Sequence, residues 1–244
     1  MPTKSHRLTL SRRGLNLNRL QKTRPLLVFD LDGTLADTAG DLVATLNAIL
    51  QREGYSGIAA AEARAMVGGG ARLLIQRGLS ANGANVSDAR LDELFVDFLA
   101  HYEDHIADET MLFPGVFEAL DRFETAGWAF AVCTNKIEYP SVLLLNALGI
   151  ADRFKAICGK DTFAVSKPDG GAILQTIARA NGDRRNAIMV GDSKTDIDAA
   201  RNAGIPVVAV DFGYTDQPVA NFKPDRIISH FDELWDAVNA LRVV

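Results

Sequence analysis

The amino-acid sequence predicts an α/β fold: a doubly wound parallel sheet with an inserted α-helical cap domain. From residue 25 onward, short apolar runs typical of buried strands alternate with longer stretches of helical periodicity. The alternation is interrupted once, between residues 37 and 114, where the pattern is helical and no strand is convincing. Because this insertion directly follows the first strand, we expect it to fold over the end of that strand.

Six apolar runs are the predicted strands, and the sequence between them has apolar residues at helical spacing. The strands are predicted at residues 26–29, 128–133, 156–158, 187–190, 207–210 and 226–228. The core helices are predicted at residues 115–126, 138–148, 171–181, 195–203 and 232–241, and the cap helices at residues 39–53, 60–67, 71–79 and 87–106. Several core helices stop at a glycine, as helices commonly do: Gly127, Gly149, Gly182 and Gly204.

This pattern divides the chain into three parts. Residues 1–24 form a basic extension that is predicted to be disordered, residues 25–37 and 111–244 form the core, and residues 38–110 form the helical cap. Gly33 and the segment 113–115 are the predicted hinges of the cap.

Composition limits the classes of protein to consider. The chain has 244 residues, of which 48% are hydrophobic, enough for one full-sized core with a small insert. No apolar stretch approaches the roughly 18 residues of a membrane helix. The two cysteines, Cys133 and Cys158, lie in predicted strands without paired spacing. We therefore expect reduced, buried thiols, a cytoplasmic location and no membrane partner.

Charge is distributed unevenly along the chain. Residues 1–24 contain seven basic residues and no acid, so the remaining chain has 19 basic and 31 acidic residues. A body this acidic repels a phosphate backbone, and we expect no nucleic-acid partner. The oligomeric state, monomer or homodimer, stays open.

Two aspartates close the first predicted strand. Asp30 and Asp32 follow an apolar run and precede the turn-forming Gly33, and Asp192 ends another apolar run. Ligands of open α/β sheets bind beyond the carboxyl ends of the strands. Neighbouring carboxylates repel each other unless a cation lies between them, and a few hard oxygen ligands suit Mg²⁺. The sequence therefore predicts a magnesium site formed by Asp30, Asp32 and Asp192.

Polar residues that suit a phosphate group lie in two further segments. Thr134 and Asn135 directly follow the predicted strand 128–133, where a hydroxyl and a backbone N–H can take phosphate oxygens. Lys167, followed by Pro168 at an expected helix start, would hold the phosphate and offset the carboxylates. A carboxylate nucleophile, a cation, hydrogen-bond donors and an acid/base are what phosphoryl transfer to an aspartate requires.

These segments, in their order and spacing, resemble the four motifs of the haloacid dehalogenase-like (HAD) phosphohydrolases over about residues 25–230. The resemblance implies a Rossmann-like HAD core beneath the helical cap. The matching motifs are Asp-Leu-Asp-Gly-Thr at residues 30–34, then Thr134, then Lys167, and finally Gly-Asp-Ser at residues 191–193 with Asp196.

The resemblance also implies a role for each motif. Asp30 would be the nucleophile, and Asp32 the general acid and then the general base. Mg²⁺ would bind Asp30, the backbone carbonyl of Asp32, and Asp192. Asp196, together with Ser193, would lie behind the metal ligands and orient the lysine of the third motif or a metal-bound water.

A glycine-rich segment precedes the third predicted cap helix. Glycines at residues 68–70 allow close backbone approach, and the N-terminus of the following helix favours an anion. Together with residues 112–116, this segment resembles phosphoglycolate phosphatases, although they commonly have Gly-Asn-Gly where this chain has three glycines. The resemblance implies a small phosphorylated metabolite as substrate, 2-phosphoglycolate foremost, contacted by Gly69, Gly70 and Arg72.

Single residues distinguish this chain from some other enzymes with this fold. The 2-haloacid dehalogenases lack the second acid of the first motif, whereas Asp32 suits an oxygen leaving group that needs a proton. Phosphonoacetaldehyde hydrolases need a cap lysine, and this chain has none between Lys22 and Lys136. Phosphatases of sugar phosphates, nucleotides or pyrophosphate and β-phosphoglucomutase-like phosphotransferases stay open. A non-catalytic binding protein also stays open, because a fold does not determine a function.

Overall fold

The structure, a computed structural model, describes residues 24–215 and 217–241. Apart from Arg24, the extension predicted at residues 1–24 lies outside the described residues. The strands are β1 (Leu26–Phe29), β2 (Ala36–Asp37), β3 (Met111–Leu112), β4 (Ala129–Cys133), β5 (Phe154–Cys158), β6 (Ala187–Gly191), β7 (Val207–Val210) and β8 (Arg226–Ile228). The α-helices are α1 (Ala39–Arg52), α2 (Ala60–Arg64), α3 (Ala71–Ala81), α4 (Asp88–Asp104), α5 (Val116–Thr125), α6 (Glu138–Ala147), α7 (Gly170–Arg179), α8 (Lys194–Ala203) and α9 (Leu234–Leu241).

Six of these strands form one parallel sheet in the order β5-β4-β1-β6-β7-β8. The central strand β1 is fully buried because its four residues are apolar and helices cover both faces of the sheet. Its side chains alternate between two apolar clusters. Leu27 and Phe29 pack with residues of α5, α6 and α9, and Leu26 and Val28 pack with residues of α7 and α8. The predicted doubly wound α/β fold is confirmed.

The expectation that no strand lies between residues 37 and 114 is wrong. Strands β2 and β3 pair antiparallel in a second sheet, Ala36 with Leu112 and Asp37 with Met111. Each strand has two residues, too few for an alternating pattern to be visible in the sequence. Their pairing joins the two segments that enter and leave the helices α1 to α4.

The helix start expected at Pro168 is also placed differently. Helix α7 begins at Gly170, and its N-cap is Asp169, whose side chain accepts a hydrogen bond of 2.7 Å from the N–H of Gly171. Pro168 therefore precedes the cap of the helix, because the short polar side chain of Asp169 is the better capping group.

The helical insertion, defined here as α1 to α4, has an apolar cluster of its own. Leu46 of α1, Leu79 of α3 and Phe98 of α4 are buried in this cluster. In the core, Cys133 and Cys158 are buried and unbridged, as the sequence predicts. Within the described residues, every helix is too short or too polar to cross a membrane.

Candidate active site

The carboxyl ends of three neighbouring strands bring the predicted site residues together. Strands β4, β1 and β6 are adjacent in the sheet, and Thr134, Asp30 and Asp192 directly follow them. Parallel strands end at the same edge of a sheet, so residues far apart in the chain meet there. All three residues are buried, with exposed fractions of 4% for Thr134, 8% for Asp30 and 2% for Asp192.

An acidic cluster lies at this edge of the sheet, and two of its carboxylates contact the ammonium group of Lys167. One carboxylate oxygen each of Asp30, Asp192 and Asp196 lies within 4.8 Å of the other two. Nζ of Lys167 lies 2.8 Å from Oδ1 of Asp30, without hydrogen-bond geometry, and donates a hydrogen bond of 2.6 Å to Oδ1 of Asp196. Oδ2 of Asp196 accepts hydrogen bonds from the backbone N–H and the hydroxyl of Ser193, at 3.1 and 2.6 Å. Asp196 therefore holds Lys167 in contact with Asp30.

Burial has the largest effect on the pKa values of the acidic residues in this cluster. It raises the pKa of Asp30 to about 6, against the opposing attraction of Lys167, and Asp196 adds to the rise. Burial and repulsion from Asp196 and Asp30 raise the pKa of Asp192 well above its usual range. Burial by itself would lower the pKa of Lys167, but Asp196 and Asp30 outweigh it and raise that pKa. Asp30 and Asp196 thus share the ammonium group of Lys167, and Asp192 brings a third buried carboxylate next to them.

The cluster fits a divalent cation. Among the described residues, Asp192 has no cationic partner: Oδ1 accepts a hydrogen bond from the hydroxyl of Thr34 at 3.0 Å and Oδ2 one from the N–H of Tyr214 at 2.6 Å. A divalent ion would neutralise this buried charge, and carboxylate oxygens are ligands that Mg²⁺ prefers. Asp30 and Asp192 belong to this cluster and to the predicted ligand set, in which Asp32 contributes its backbone carbonyl.

Asp32 lies beside a second buried lysine, Lys136. Nζ of Lys136 lies 3.2 Å from Oδ1 and 3.5 Å from Oδ2 of Asp32, and it donates a hydrogen bond of 2.9 Å to the hydroxyl of Tyr102 on α4. The lysine side chain is 7% exposed. Burial would lower its pKa, but Asp32 and Tyr102 outweigh burial and raise it. Lys136 was not among the site residues predicted from the sequence, although its place directly after Thr134 and Asn135 is a signal for it.

Thr134 and Asn135 form hydrogen bonds with the backbone of the two lysines of the site. Oγ1 of Thr134 accepts a hydrogen bond of 3.2 Å from the N–H of Lys136, which leaves the hydroxyl proton for a ligand. Nδ2 of Asn135 donates a hydrogen bond of 3.0 Å to the carbonyl oxygen of Lys167. Oδ1 of Asn135 is buried and has no partner among the described residues. The second and third motifs are therefore fixed to each other directly.

A cavity of about 610 Å³ lies between this edge of the sheet and the helical insertion. Asp30, Asp32 and Thr134 line it from the core, and the glycine-rich segment at residues 68–70 lines it from the insertion. Gly70 has a φ of +86°, and a Cβ atom at this position would lie 3.4 Å from the carbonyl oxygen of Asn135. The insertion thus approaches the core closely at the predicted phosphate-binding segment.

Arg72 also lines the cavity, but its guanidinium group is engaged with α4. Nε donates a hydrogen bond of 2.8 Å to Asp92, and Nη2 donates one of 3.2 Å to Asp88. The Arg72 side chain is 42% exposed. The contact of Arg72 with a substrate stays a prediction.

Two residues that the sequence analysis did not single out support Asp192. They are Thr34 and Tyr214, which bind its two carboxylate oxygens. The hydroxyl of Tyr214 also donates a hydrogen bond of 2.6 Å to Asp37 and accepts one of 2.9 Å from the N–H of Ala39. Tyr214 therefore connects Asp192 with the start of the helical insertion. These contacts join distant parts of the chain and leave no local pattern in the sequence.

Comparisons with known proteins agree with this geometry. Residues 27–210 match the model of a family described as haloacid dehalogenase-like hydrolase. A phosphoglycolate phosphatase from Mesorhizobium japonicum is 50% identical over 212 residues, which cover 87% of this chain and 93% of the relative. Another from Agrobacterium fabrum is 44% identical and covers 88% of this chain and 92% of its own length. The crystal structure of a predicted phosphoglycolate phosphatase from Haemophilus somnus has a TM-score of 0.81 at 28% identity, covering 87% of this chain and 97% of that chain.

The class of protein follows from the parallel sheet, the polar residues at its carboxyl edge and these similarities. The chain belongs to the haloacid dehalogenase-like hydrolases. Within that family it is a phosphoric monoester hydrolase, similar to the enzymes named phosphoglycolate phosphatase. The resemblance inferred from the sequence motifs is therefore confirmed.

Proposed function

We propose that this enzyme hydrolyses 2-phosphoglycolate to glycolate and phosphate through an aspartyl-phosphate intermediate, with Mg²⁺ as cofactor. The observation that carries the reaction is the cluster of Asp30, Asp192 and Asp196 at the carboxyl edge of the sheet, in which Lys167 contacts Asp30 and Asp196. The substrate is supported by relatives named phosphoglycolate phosphatase, one of them 50% identical. The helical insertion acts as the cap of the site. Buried, unbridged cysteines support a cytoplasmic location.

Asp30 is the nucleophile of the first step. Its carboxylate oxygen forms a bond to phosphorus while the bond between phosphorus and the leaving oxygen breaks. The ammonium of Lys167, 2.8 Å from Asp30, offsets the charge of the nucleophile and of the phosphoryl group. The hydroxyl of Thr134 and the backbone N–H of Asn135 hold phosphoryl oxygens, and Asp196 keeps Lys167 in place.

Asp32 is the general acid and then the general base. It gives a proton to the leaving oxygen in the first step and accepts one from the water that attacks the aspartyl phosphate in the second. The second step releases phosphate and restores Asp30. The Asp32 side chain is 18% exposed and lines the cavity, so it can reach both the substrate and water.

The metal would be held by Asp30, the backbone carbonyl of Asp32, and Asp192, with Asp196 and Ser193 behind them. When bound, Mg²⁺ would neutralise charge on the phosphoryl group. The close approach of three buried carboxylates supports this assignment, because Asp192 has no cationic partner among the described residues.

A panel of phosphorylated metabolites tests the proposal. Purified protein should release phosphate from 2-phosphoglycolate with Mg²⁺ and should lose this activity in EDTA. The highest kcat/KM should belong to 2-phosphoglycolate, ahead of hexose phosphates, nucleotides, pyrophosphate and p-nitrophenyl phosphate. A higher kcat/KM for a sugar phosphate, a nucleotide or pyrophosphate would contradict 2-phosphoglycolate as the substrate, but not the hydrolysis of phosphate esters as the reaction. No release from any phosphate would favour a non-catalytic binding protein.

A further inference from the structure

The cavity is lined by three cationic side chains, and they differ in what they can bind. Arg72 is half-exposed and paired with Asp88 and Asp92, and Lys160 is exposed. Lys136 is buried, with a side chain that is 7% exposed. Because a charge in a dry site interacts more strongly with an anion than an exposed charge does, Lys136 is the cation best placed to select an anionic substrate.

Lys136 and Tyr102 each have a hydrogen-bond donor that is available in the cavity. The ammonium group of Lys136 has three N–H donors, and the contacts with Asp32 and Tyr102 use two of them. The Tyr102 hydroxyl accepts the bond from Lys136, and within the described part of the chain no residue accepts the hydroxyl proton in turn. The ring of Tyr102 lies 4.2 Å from the ammonium and fixes its position by a cation–π contact. A third N–H and an O–H are thus available side by side.

This pair of donors lies on the leaving-group side of the site. Asp32, 3.2 Å from Nζ of Lys136, is the residue that protonates the leaving oxygen in the proposed function. In 2-phosphoglycolate a single carbon separates the leaving oxygen from the carboxylate. A substrate whose leaving oxygen meets Asp32 therefore brings its carboxylate within reach of Lys136 and Tyr102.

We propose that Lys136, with the hydroxyl of Tyr102, binds the carboxylate of the leaving group and so determines specificity for phosphate esters of 2-hydroxy carboxylates. This inference rests on the proposed function and deepens it. It assigns the selectivity to a core residue at the second motif and to one cap residue, whereas the sequence predicted contacts from Gly69, Gly70 and Arg72. Loss of a charge-assisted contact of this kind corresponds to roughly 10–100-fold in kcat/KM.

The test compares two substrates that differ at the carboxylate alone. Ethyl phosphate has a methyl group where 2-phosphoglycolate has its carboxylate, and both have an alkoxide leaving group. In Lys136→Met the ratio of kcat/KM for 2-phosphoglycolate to that for ethyl phosphate should fall roughly 10–100-fold. Lys160→Met, which removes the exposed lysine of the same cavity, is the matched control and should keep the wild-type ratio.

The outcomes separate this inference from its alternatives. If Lys136 acts through Asp32 alone, kcat/KM falls equally for both esters, and the unchanged ratio overturns the inference. If Lys136→Met does not fold, as judged by circular dichroism, Tyr102→Phe decides: it keeps the ring and the lysine, and the ratio should fall roughly 3–10-fold. An unchanged ratio in Tyr102→Phe would then overturn the inference. If the wild-type enzyme itself shows no preference for 2-phosphoglycolate over ethyl phosphate, the proposed substrate is wrong and the inference falls with it.

Discussion

At the scale of single residues, Asp30 decides whether the proposed chemistry is correct. Asp30→Asn keeps the size of the side chain and removes the nucleophile, so phosphate release should fall to background while circular dichroism stays unchanged. Beryllofluoride, which mimics a phosphoryl group on an aspartate, should bind the wild-type enzyme and not the variant. Asp121→Asn changes an acid of α5 that is 73% exposed and serves as the control with wild-type activity. Substantial turnover by Asp30→Asn would contradict the mechanism.

The burial of Asp30 also predicts how stability depends on pH. Its pKa rises from 3.8 to about 6 on folding, so the folded state holds this proton more tightly than the unfolded state. The free energy of unfolding therefore falls as the pH rises from about 4 to 6. The side chain of Asp30→Asn does not ionise, so the variant does not lose stability in this way. In EDTA it should have a higher Tm than the wild type at pH 7, with a smaller difference near pH 4. A lower Tm for the variant at pH 7 would mean that attraction to Lys167 outweighs burial.

Asp32 makes a prediction that depends on the leaving group. Asp32→Asn removes the proton donor and should reduce kcat for 2-phosphoglycolate by about 10²–10⁴. The reduction should be smaller for p-nitrophenyl phosphate, because p-nitrophenolate leaves readily without a proton. Steady-state kinetics of both substrates measure the difference. An equal loss for both would argue against the acid role of Asp32.

At the scale of secondary-structure elements, local sequence located the six strands of the parallel sheet. Strands β1, β7 and β8 have the predicted bounds. Strand β5 begins at Phe154, two residues earlier than predicted. The prediction was too short because the exposed Lys155 interrupts the apolar run of this strand. Strands β2 and β3 were missed because two residues define no period, and their pairing depends on a partner from the far end of the helical insertion.

The junction beside β2 and β3 gives a stability prediction. Asp41, in the first turn of α1, is 2% exposed and accepts hydrogen bonds from the N–H groups of Glu109 and Thr110 and from the hydroxyl of Thr110. It ties the beginning of the helical insertion to its end. Asp41→Ala leaves these donors unpaired and should lower the free energy of unfolding by roughly 1–3 kcal/mol. Asp41→Asn keeps an acceptor oxygen and should lower the free energy of unfolding by less. Urea denaturation measures both losses, and equal losses in the two variants would contradict the role of these hydrogen bonds.

At the scale of the whole molecule, the sequence predicted which motifs meet but not how their charges are balanced. Asp30 and Asp192 could be grouped because each ends a strand at the same edge of the sheet. The contacts of Lys136 with Asp32 and Tyr102 span 104 and 34 residues of the chain. No periodicity reports such contacts: the first forms when strands β1 and β4 pair in the sheet, and the second when the helical insertion packs on the core.

The same packing makes the glycine at the tip of the insertion critical. Gly70 has φ +86° and ψ 161°, a region that residues with side chains enter at a cost of roughly 1–3 kcal/mol. A Cβ atom there would also lie 3.4 Å from the carbonyl oxygen of Asn135, a proposed phosphate-binding residue. Gly70→Ala should therefore reduce kcat/KM for 2-phosphoglycolate by roughly 10-fold or more, because the strain is felt where the insertion meets the core.

Gly54 provides the matched control for this prediction. It lies in the same helical insertion with φ +81°, and a Cβ atom there would have no neighbour within 4 Å. Gly54→Ala thus also places a side chain at a positive φ, but without a contact at the site. Thermal unfolding should show a loss of Tm in both variants, whereas kcat/KM should fall in Gly70→Ala alone. Equal kcat/KM values for the two variants would mean that the glycine-rich segment serves the stability of the insertion and not the closure of the site.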